Sequence, residues 1–257
     1  MKIIICGKGG SGKSSVTAVL ARALAKEKMA VLVVDADESN SGLHRLLGVD
    51  PPMNLLDHLG GKKAFKEKLN SPLPATDSLI GAPSISTDSL PKECVAQNGA
   101  VRLVSVGKIH EAGEGCACPI GVLSRTVLSR LETGQNEIVL VDTEAGIEHF
   151  GRGLDKGCDI IIGVIDPSFE SFELAKKIEQ MAKSVDADCF LILNKTDSQS
   201  EKIMASNVKK ESVVASLPFN ENLFMKSLRG ETLDTDIPEI APVCEMIKKR
   251  SSRSIQC

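Results

Sequence analysis

The run Gly7-Lys8-Gly9-Gly10-Ser11-Gly12-Lys13-Ser14-Ser15 carries the pattern G-x-x-x-x-G-K-[ST], and the chemistry it offers is phosphate binding. With no Cβ at Gly9, Gly10 or Gly12, the backbone N–H groups of the run through Ser11 to Ser15 can wrap a polyphosphate, and a helix starting there adds its positive end. Lys13 then bridges the outer phosphates, and the Ser14 hydroxyl sits on Mg²⁺. Asp142 closes the apolar run Ile138–Val141 and supplies a carboxylate that holds the same Mg²⁺ directly or through water. Asp35 and Asp37 follow another apolar run. Phosphoryl transfer needs alignment and charge stabilisation above all, so one carboxylate aimed at the attacking water suffices. Asn194-Lys195-Thr196-Asp197 also ends a buried run: the Asn can read a purine edge and the lysine stem can cover the ring. The complete N-K-x-D pattern is the one guanine-binding proteins use, so at this level ATP and GTP both stand. Cys116 and Cys118 are two apart, which in an extended segment puts both thiols on one side, able to share one soft ion. Two thiolates leave a tetrahedral Ni²⁺ or Zn²⁺ site half empty, whereas two copies about a two-fold axis supply four.

The elements that must position these residues are strands whose carboxyl ends lie together. Lys2–Cys6, Ala30–Val34, Val101–Val106, Ile138–Val141, Ile160–Ile165 and Cys189–Leu193 are short apolar runs. They alternate with helix-compatible stretches at about Ser14–Lys28, from near Ser41, Ile120–Leu131, through Lys183, and in a final pair. Such alternation predicts an α/β chain, a mostly parallel sheet flanked by helices on both faces, with ligands at the strands' carboxyl ends. At 257 residues one domain spanning 1–257 is expected, with 55–95, where the apolar pattern weakens, as a peripheral, mobile insertion. A net charge of −3 gives no electrostatic footprint for nucleic acid. No run has the length or apolarity of a membrane span, and the start has no signal-peptide pattern, so the expectation is a cytoplasmic protein without a stable membrane anchor. In that compartment the eight cysteines read as buried thiols, metal ligands or redox sites rather than disulfides.

Lys8, a second lysine five residues before Lys13, carries a family resemblance. Lys8-Gly9-Gly10-Ser11-Gly12-Lys13-Ser14 resembles the deviant Walker A loop of the MinD/ParA-type P-loop ATPases. The resemblance implies a nucleotide-controlled homodimer in which Lys8 crosses to the partner's nucleotide, and it favours ATP over GTP. Asp35-Ala36-Asp37 resembles that group's switch I, which makes Asp37 the water-positioning acid and leaves Asp35 to Mg²⁺ or to bracing the loop, with an exchange of the two roles as the alternative. Thr143–Glu148 resembles switch II. Leu217-Pro218-Phe219-Asn220-Glu221 resembles the loop that closes the base pocket, which assigns Pro218, Phe219 and Asn220 to the nucleotide beside Asn194 and Lys195. Cys116-Ala117-Cys118, with Gly146-Ile147-Glu148-His149 and Pro218–Glu221, resembles the CooC-type accessory ATPases that help insert nickel into carbon monoxide dehydrogenase. That resemblance implies a dimeric metallochaperone holding nickel between protomers for a client nickel enzyme. Two alternatives remain in the same superfamily: a positioning ATPase of the MinD/ParA type, and an ATPase bridged by an Fe–S cluster for electron transfer. Against the last, no cysteine follows switch II, where the nitrogenase iron protein has its second ligand.

Overall fold

The computed structural model describes residues 1–70, 78–109, 118–147, 153 and 157–253. Ten strands run through them: β1 (Lys2–Gly7), β2 (Ala30–Asp35), β3 (Ile85–Ser86), β4 (Val95–Asn98), β5 (Val101–Ser105), β6 (Leu131–Glu132), β7 (Glu137–Asp142), β8 (Ile160–Ile165), β9 (Asp188–Thr196) and β10 (Val213–Pro218). Eight form one sheet in the order β10-β9-β8-β1-β7-β2-β5-β4, and β3 pairs with β6 apart from it. Every pairing in the large sheet is parallel except that of β4 with β5. The β1, β7 and β8 segments are buried along almost their whole length, as strands covered on both faces must be, and this explains their unbroken Ile/Val/Leu composition.

Helices cover both faces. On one side the first helix, Lys13–Lys26, lays Val16, Leu20 and Leu24 on the sheet, and the Ala241–Arg253 helix adds Val243 and Ile247. On the other side the Cys118–Arg130 helix contributes Ile120, Leu123 and Val127, and the Phe169–Ser184 helix contributes Ile178 and Ala182. Gly163 in β8 marks where that last helix comes close: a Cβ there would lie 2.9 Å from Leu191 Cδ2 and 3.4 Å from Ile178 Cδ1. The α/β architecture with a mostly parallel sheet is therefore the one the sequence predicts.

Two strands go unread in the sequence, and one helix is shorter than expected. β4 and β10, the two edge strands, do not stand out in the sequence because each is only partly buried and carries few apolar residues in a row. The helix expected from near Ser41 is a single short piece, Leu43–Leu47, which Gly48 stops at φ 68°, in the left-handed region glycine enters without strain. Within 55–95 the described residues include an apolar set that joins the core. Leu55, Leu56, Leu59, Phe65, Leu79, Ile85, Leu90 and Cys94 are all buried in the second core, held against the β2, β5 and β7 side of the sheet.

Candidate functional site

The register sets the site. Asp35 pairs with Asp142 across β2 and β7, and Ile5 pairs with Asp142 across β1 and β7, so the phosphate-binding run leaves β1 beside both acids. Gly7, Gly10 and Gly12 have φ of 150°, 80° and 98°, a path that side chains with a Cβ adopt only under strain. At Gly12 a Cβ would also overlap Asn194 Nδ2, because Asn194 reaches over to donate to the Ser11 carbonyl at 2.8 Å. Lys195, itself at φ 59°, donates to the Gly10 carbonyl at 2.6 Å. The N-K pair after β9 thus grips the loop from outside while β1 holds it from inside. Asp197 turns away from it: Oδ1 accepts from the N–H groups of Gln199 and Ser200 where the Ser200–Asn207 helix starts, and these bonds lower its pKa.

Lys13 is buried and donates to the Lys8 carbonyl at 3.2 Å. Ser14 Oγ donates to Asp142 Oδ2 at 2.7 Å, and Thr17 Oγ1 lies 3.3 Å from Asp142 Oδ1. Burial pushes the Asp142 carboxyl up to about 7; the nearby Asp35 and Asp37 carboxylates add to the rise, and the Ser14 hydrogen bond and Lys13 oppose it. Asp35 is likewise pushed up to about 6 by burial, against the pull of Lys108, whose ammonium lies 2.7 Å from Asp35 Oδ2. Asp37 Oδ1 accepts from Ser39 N–H at 2.9 Å, Ser39 Oγ at 2.7 Å and Asn40 N–H at 3.2 Å. Asn40 in turn donates to Ser14 Oγ at 2.9 Å, closing the loop after β2 onto the loop after β1.

A cavity of about 840 Å³ opens above these residues, within the range of small-molecule sites. Gly9, Gly10, Gly12 to Ser15, Asp37 and Asn40 form one end; Pro218, Phe219, Asn220, Phe224 and Leu228 form the other. The Phe219 and Phe224 ring centroids are 5.7 Å apart, and both rings are about half exposed. A ligand with a polyanionic end and a flat apolar end suits that gradient. The anionic end fits on a further observation: the lining there is Gly9, Gly10 and Gly12 beside Lys13, a cradle without Cβ atoms that lets a polyanion approach the backbone. The Ser14 and Asp142 oxygens, 2.7 Å apart, are of the hard type Mg²⁺ takes.

Lys8 points out of the loop, donating to Ser168 Oγ at 3.1 Å and lying 3.7 Å from Glu170 Oε2. Gly146 in the switch-II-like stretch donates its N–H to the Gly7 carbonyl at 3.0 Å. Of the proposed thiol pair, Cys116 lies outside the described residues. Cys118 is the first residue of the Cys118–Arg130 helix and is exposed, which corrects the extended geometry assumed for it, and it is disulfide-bonded. Among the described residues no three His, Cys, Asp or Glu side chains converge as metal ligands. Burial pushes the thiols of Cys94 and Cys244 up to about 11 and that of Cys189 to about 12, so they are poor ligands. Lys108 and Asn40 were not singled out from the sequence. Lys108 sits at the carboxyl end of a strand, where ligands collect, but an isolated lysine has no motif to mark it.

Residues 2–233 match the family model described as the CobQ/CobB/MinD/ParA nucleotide binding domain. An uncharacterised ATP-binding protein of Methanocaldococcus jannaschii is 46% identical over 97% of this chain and 100% of its own length. The carbon monoxide dehydrogenase accessory protein CooC of Rhodospirillum rubrum is 36% identical over 72% of this chain and 70% of its own. Among solved structures, the septum site-determining protein MinD of Pyrococcus horikoshii, complexed with Mg-ADP, superposes with a TM-score of 0.70 at 18% identity, covering 97% of this chain and 96% of that one. No described helix is long and apolar enough to cross a membrane.

Proposed function

The chain belongs to the CobQ/CobB/MinD/ParA nucleotide-binding family of P-loop ATPases, and from that premise we propose a dimeric, ATP-driven metallochaperone that holds nickel between protomers and assists its insertion into a client nickel enzyme. The observation that carries the reading is the joint presence of Lys8 in the phosphate loop and the Cys116/Cys118 pair on a chain 36% identical to a carbon monoxide dehydrogenase accessory protein.

The geometry supports the following roles. Backbone N–H groups of Gly9 to Ser15 hold the phosphates, with Lys13 leaving the Lys8 carbonyl to bridge the outer ones. Ser14 and Asp142 hold Mg²⁺, with Asp35 close by, and the ion neutralises charge on the phosphates when bound. Asp37 orients the attacking water. Its Oδ1 is already satisfied by three donors of its own loop, which keeps the carboxylate at the cavity wall. Pro218, Phe219 and Asn220 close over the base, with Asn194 and Lys195 beneath it. The engagement of Asp197 with backbone N–H groups supports ATP rather than GTP, because a guanine reader needs that carboxylate for the base. For Lys8 to reach a partner's nucleotide it must release Ser168 and Glu170, so the hydrogen bond at 3.1 Å is broken on dimer closure.

Closing the dimer gathers four thiolates, two Cys116 and two Cys118, around one Ni²⁺ or Zn²⁺; Cys118 must be reduced for this. A MinD/ParA-type positioning ATPase is the second reading, favoured by the fold similarity to MinD. Anaerobic native mass spectrometry of the reduced protein with Mg-nucleotide and Ni²⁺, beside a Cys116→Ser/Cys118→Ser variant, separates the two. The expected result is one metal ion per dimer, lost in the variant. A metal-free dimer in both would favour the positioning reading, and a cluster-sized mass would move the protein to electron transfer.

A further inference from the structure

Lys108 lies just beyond β5, and its ammonium is enclosed by the loop that follows β2. It donates to Asp35 Oδ2 at 2.7 Å, to the Asp37 carbonyl at 2.5 Å, and to the Asn40 carbonyl. Its side chain is only 13% exposed. The backbone joins the same two segments, with Val106 N–H donating to the Asp35 carbonyl at 3.0 Å and Ile109 N–H to the Glu38 carbonyl at 3.1 Å. An ammonium has three N–H donors, and here all three are taken by the loop. Lys108 therefore has none left for a phosphate while the loop holds this shape.

Two carbonyls converging on one cation fix the turn between them, and Asp37 is the first residue of that turn. Its Oδ1 collects the N–H groups of Ser39 and Asn40, so the side chain is set by the same turn whose carbonyls Lys108 holds. Without the ammonium, the Asp35 carboxylate, itself 4% exposed, would lose its cation partner, a strongly unfavourable arrangement in a buried setting. The loop would rearrange to relieve it. A displacement of about 1 Å at a positioning group can slow a reaction by about a hundredfold. The phosphate-holding backbone from Gly9 to Lys13 belongs to another loop and would keep its place; the pinned loop touches that run at Ser14, through the hydrogen bond from Asn40.

We propose that Lys108 is the positioning residue for Asp37: it pins the loop after β2 so that the carboxylate meets the attacking water, and its loss slows hydrolysis while leaving nucleotide binding nearly intact. This inference rests on the ATPase reading of the site but not on the metal-carrying role.

The test is a double-mutant cycle in steady-state hydrolysis of Mg-ATP with Lys108→Met and Asp37→Asn. Lys108→Met is expected to lower kcat by about 30- to 100-fold and change KM by less than about threefold. In the Asp37→Asn background the same substitution should cost less than about threefold more, and Lys108→Arg should recover most of the loss. Multiplicative losses in the cycle would overturn the proposal, as would a raised KM with kcat preserved. If Lys108→Met does not fold, Lys108→Gln, which keeps amide donors without the charge, replaces it. A second readout needs no hydrolysis: in the nucleotide-free protein the amides of Ser39 and Asn40 should exchange hydrogen faster in Lys108→Met and at the parental rate in Lys108→Arg. Unchanged exchange in Lys108→Met would also overturn the pin. A parent protein that binds nucleotide and never hydrolyses it would overturn the ATPase reading and this role with it, and the exchange result would still show whether the pin exists.

Discussion

Asp142 is fully buried and hydrogen-bonded to Ser14 and Thr17, yet burial and its acidic neighbours push its carboxyl up to about 7 from an ordinary 3.8. A raised carboxyl pKa makes the fold favour the protonated form. Its contribution is fully present below the unfolded value and is lost as pH rises through about 7, and Asp35, raised to about 6, acts in the same direction. The nucleotide-free, Mg²⁺-free protein should therefore lose on the order of 1–3 kcal/mol of stability between about pH 5 and pH 8. Thermal melts across that range check it: Asp142→Asn should flatten the slope, and Mg-nucleotide should reverse it. A slope unchanged by Asp142→Asn would mean the penalty lies elsewhere. Asp142, Lys13, Ser14 and the loop glycines were legible in the sequence because their spacing is imposed by a ligand of fixed shape. Lys108 and Asn40 were not, since each acts through a partner brought close only by the fold, Asp35 at 73 positions from Lys108 and Ser14 at 26 from Asn40. Cys118 shows the converse: its spacing from Cys116 was legible, but its place at a helix start depends on where the following apolar face begins.

The Phe169–Ser184 helix crosses β8 at Gly163, where a Cβ would lie 2.9 Å from Leu191 Cδ2. Both neighbours are packed, Leu191 and Ile178 being fully buried, so neither yields without strain. Gly163→Ala is expected to destabilise the protein by about 1–3 kcal/mol, seen as a fall in melting temperature of roughly 2–10 °C for a chain of this size. A neutral result would mean that the helix shifts outward at no cost. The core strands were readable because burial on both faces leaves unbroken apolar runs. The edge strands β4 and β10 were not, because a strand with one neighbour needs fewer apolar side chains and its pattern merges with that of loops. The same reasoning applies to 55–95. Its buried residues, Leu55 to Cys94, are spread over several pieces, and the longest, the Gly61–Asn70 helix, buries Phe65 alone, so its apolar pattern is faint.

Seen whole, the sheet places the earliest strand at its centre: β1 lies between β7 and β8, and its hydrogen-bonding partners are Val139–Asp142 and Ile160–Val164. The cavity above the phosphate loop is built on that arrangement, so it is not local in sequence. During synthesis the phosphate loop leaves the ribosome well before the strands that flank β1, and it remains without a framework until about 150 more residues have followed. At roughly 5–20 residues per second that is about 8–30 s, a window in which the glycine-rich run and the apolar β1 depend on chaperones or on transient collapse. Nascent chains stalled with the sequence exposed only to about Ser105 should not bind an ATP resin, whereas chains exposed past Pro218 should; binding by the shorter ones would mean that the loop forms before its sheet. The nucleotide can thus act as a ligand of the finished protein and as a trap for its last folding steps, but not as a template for its first.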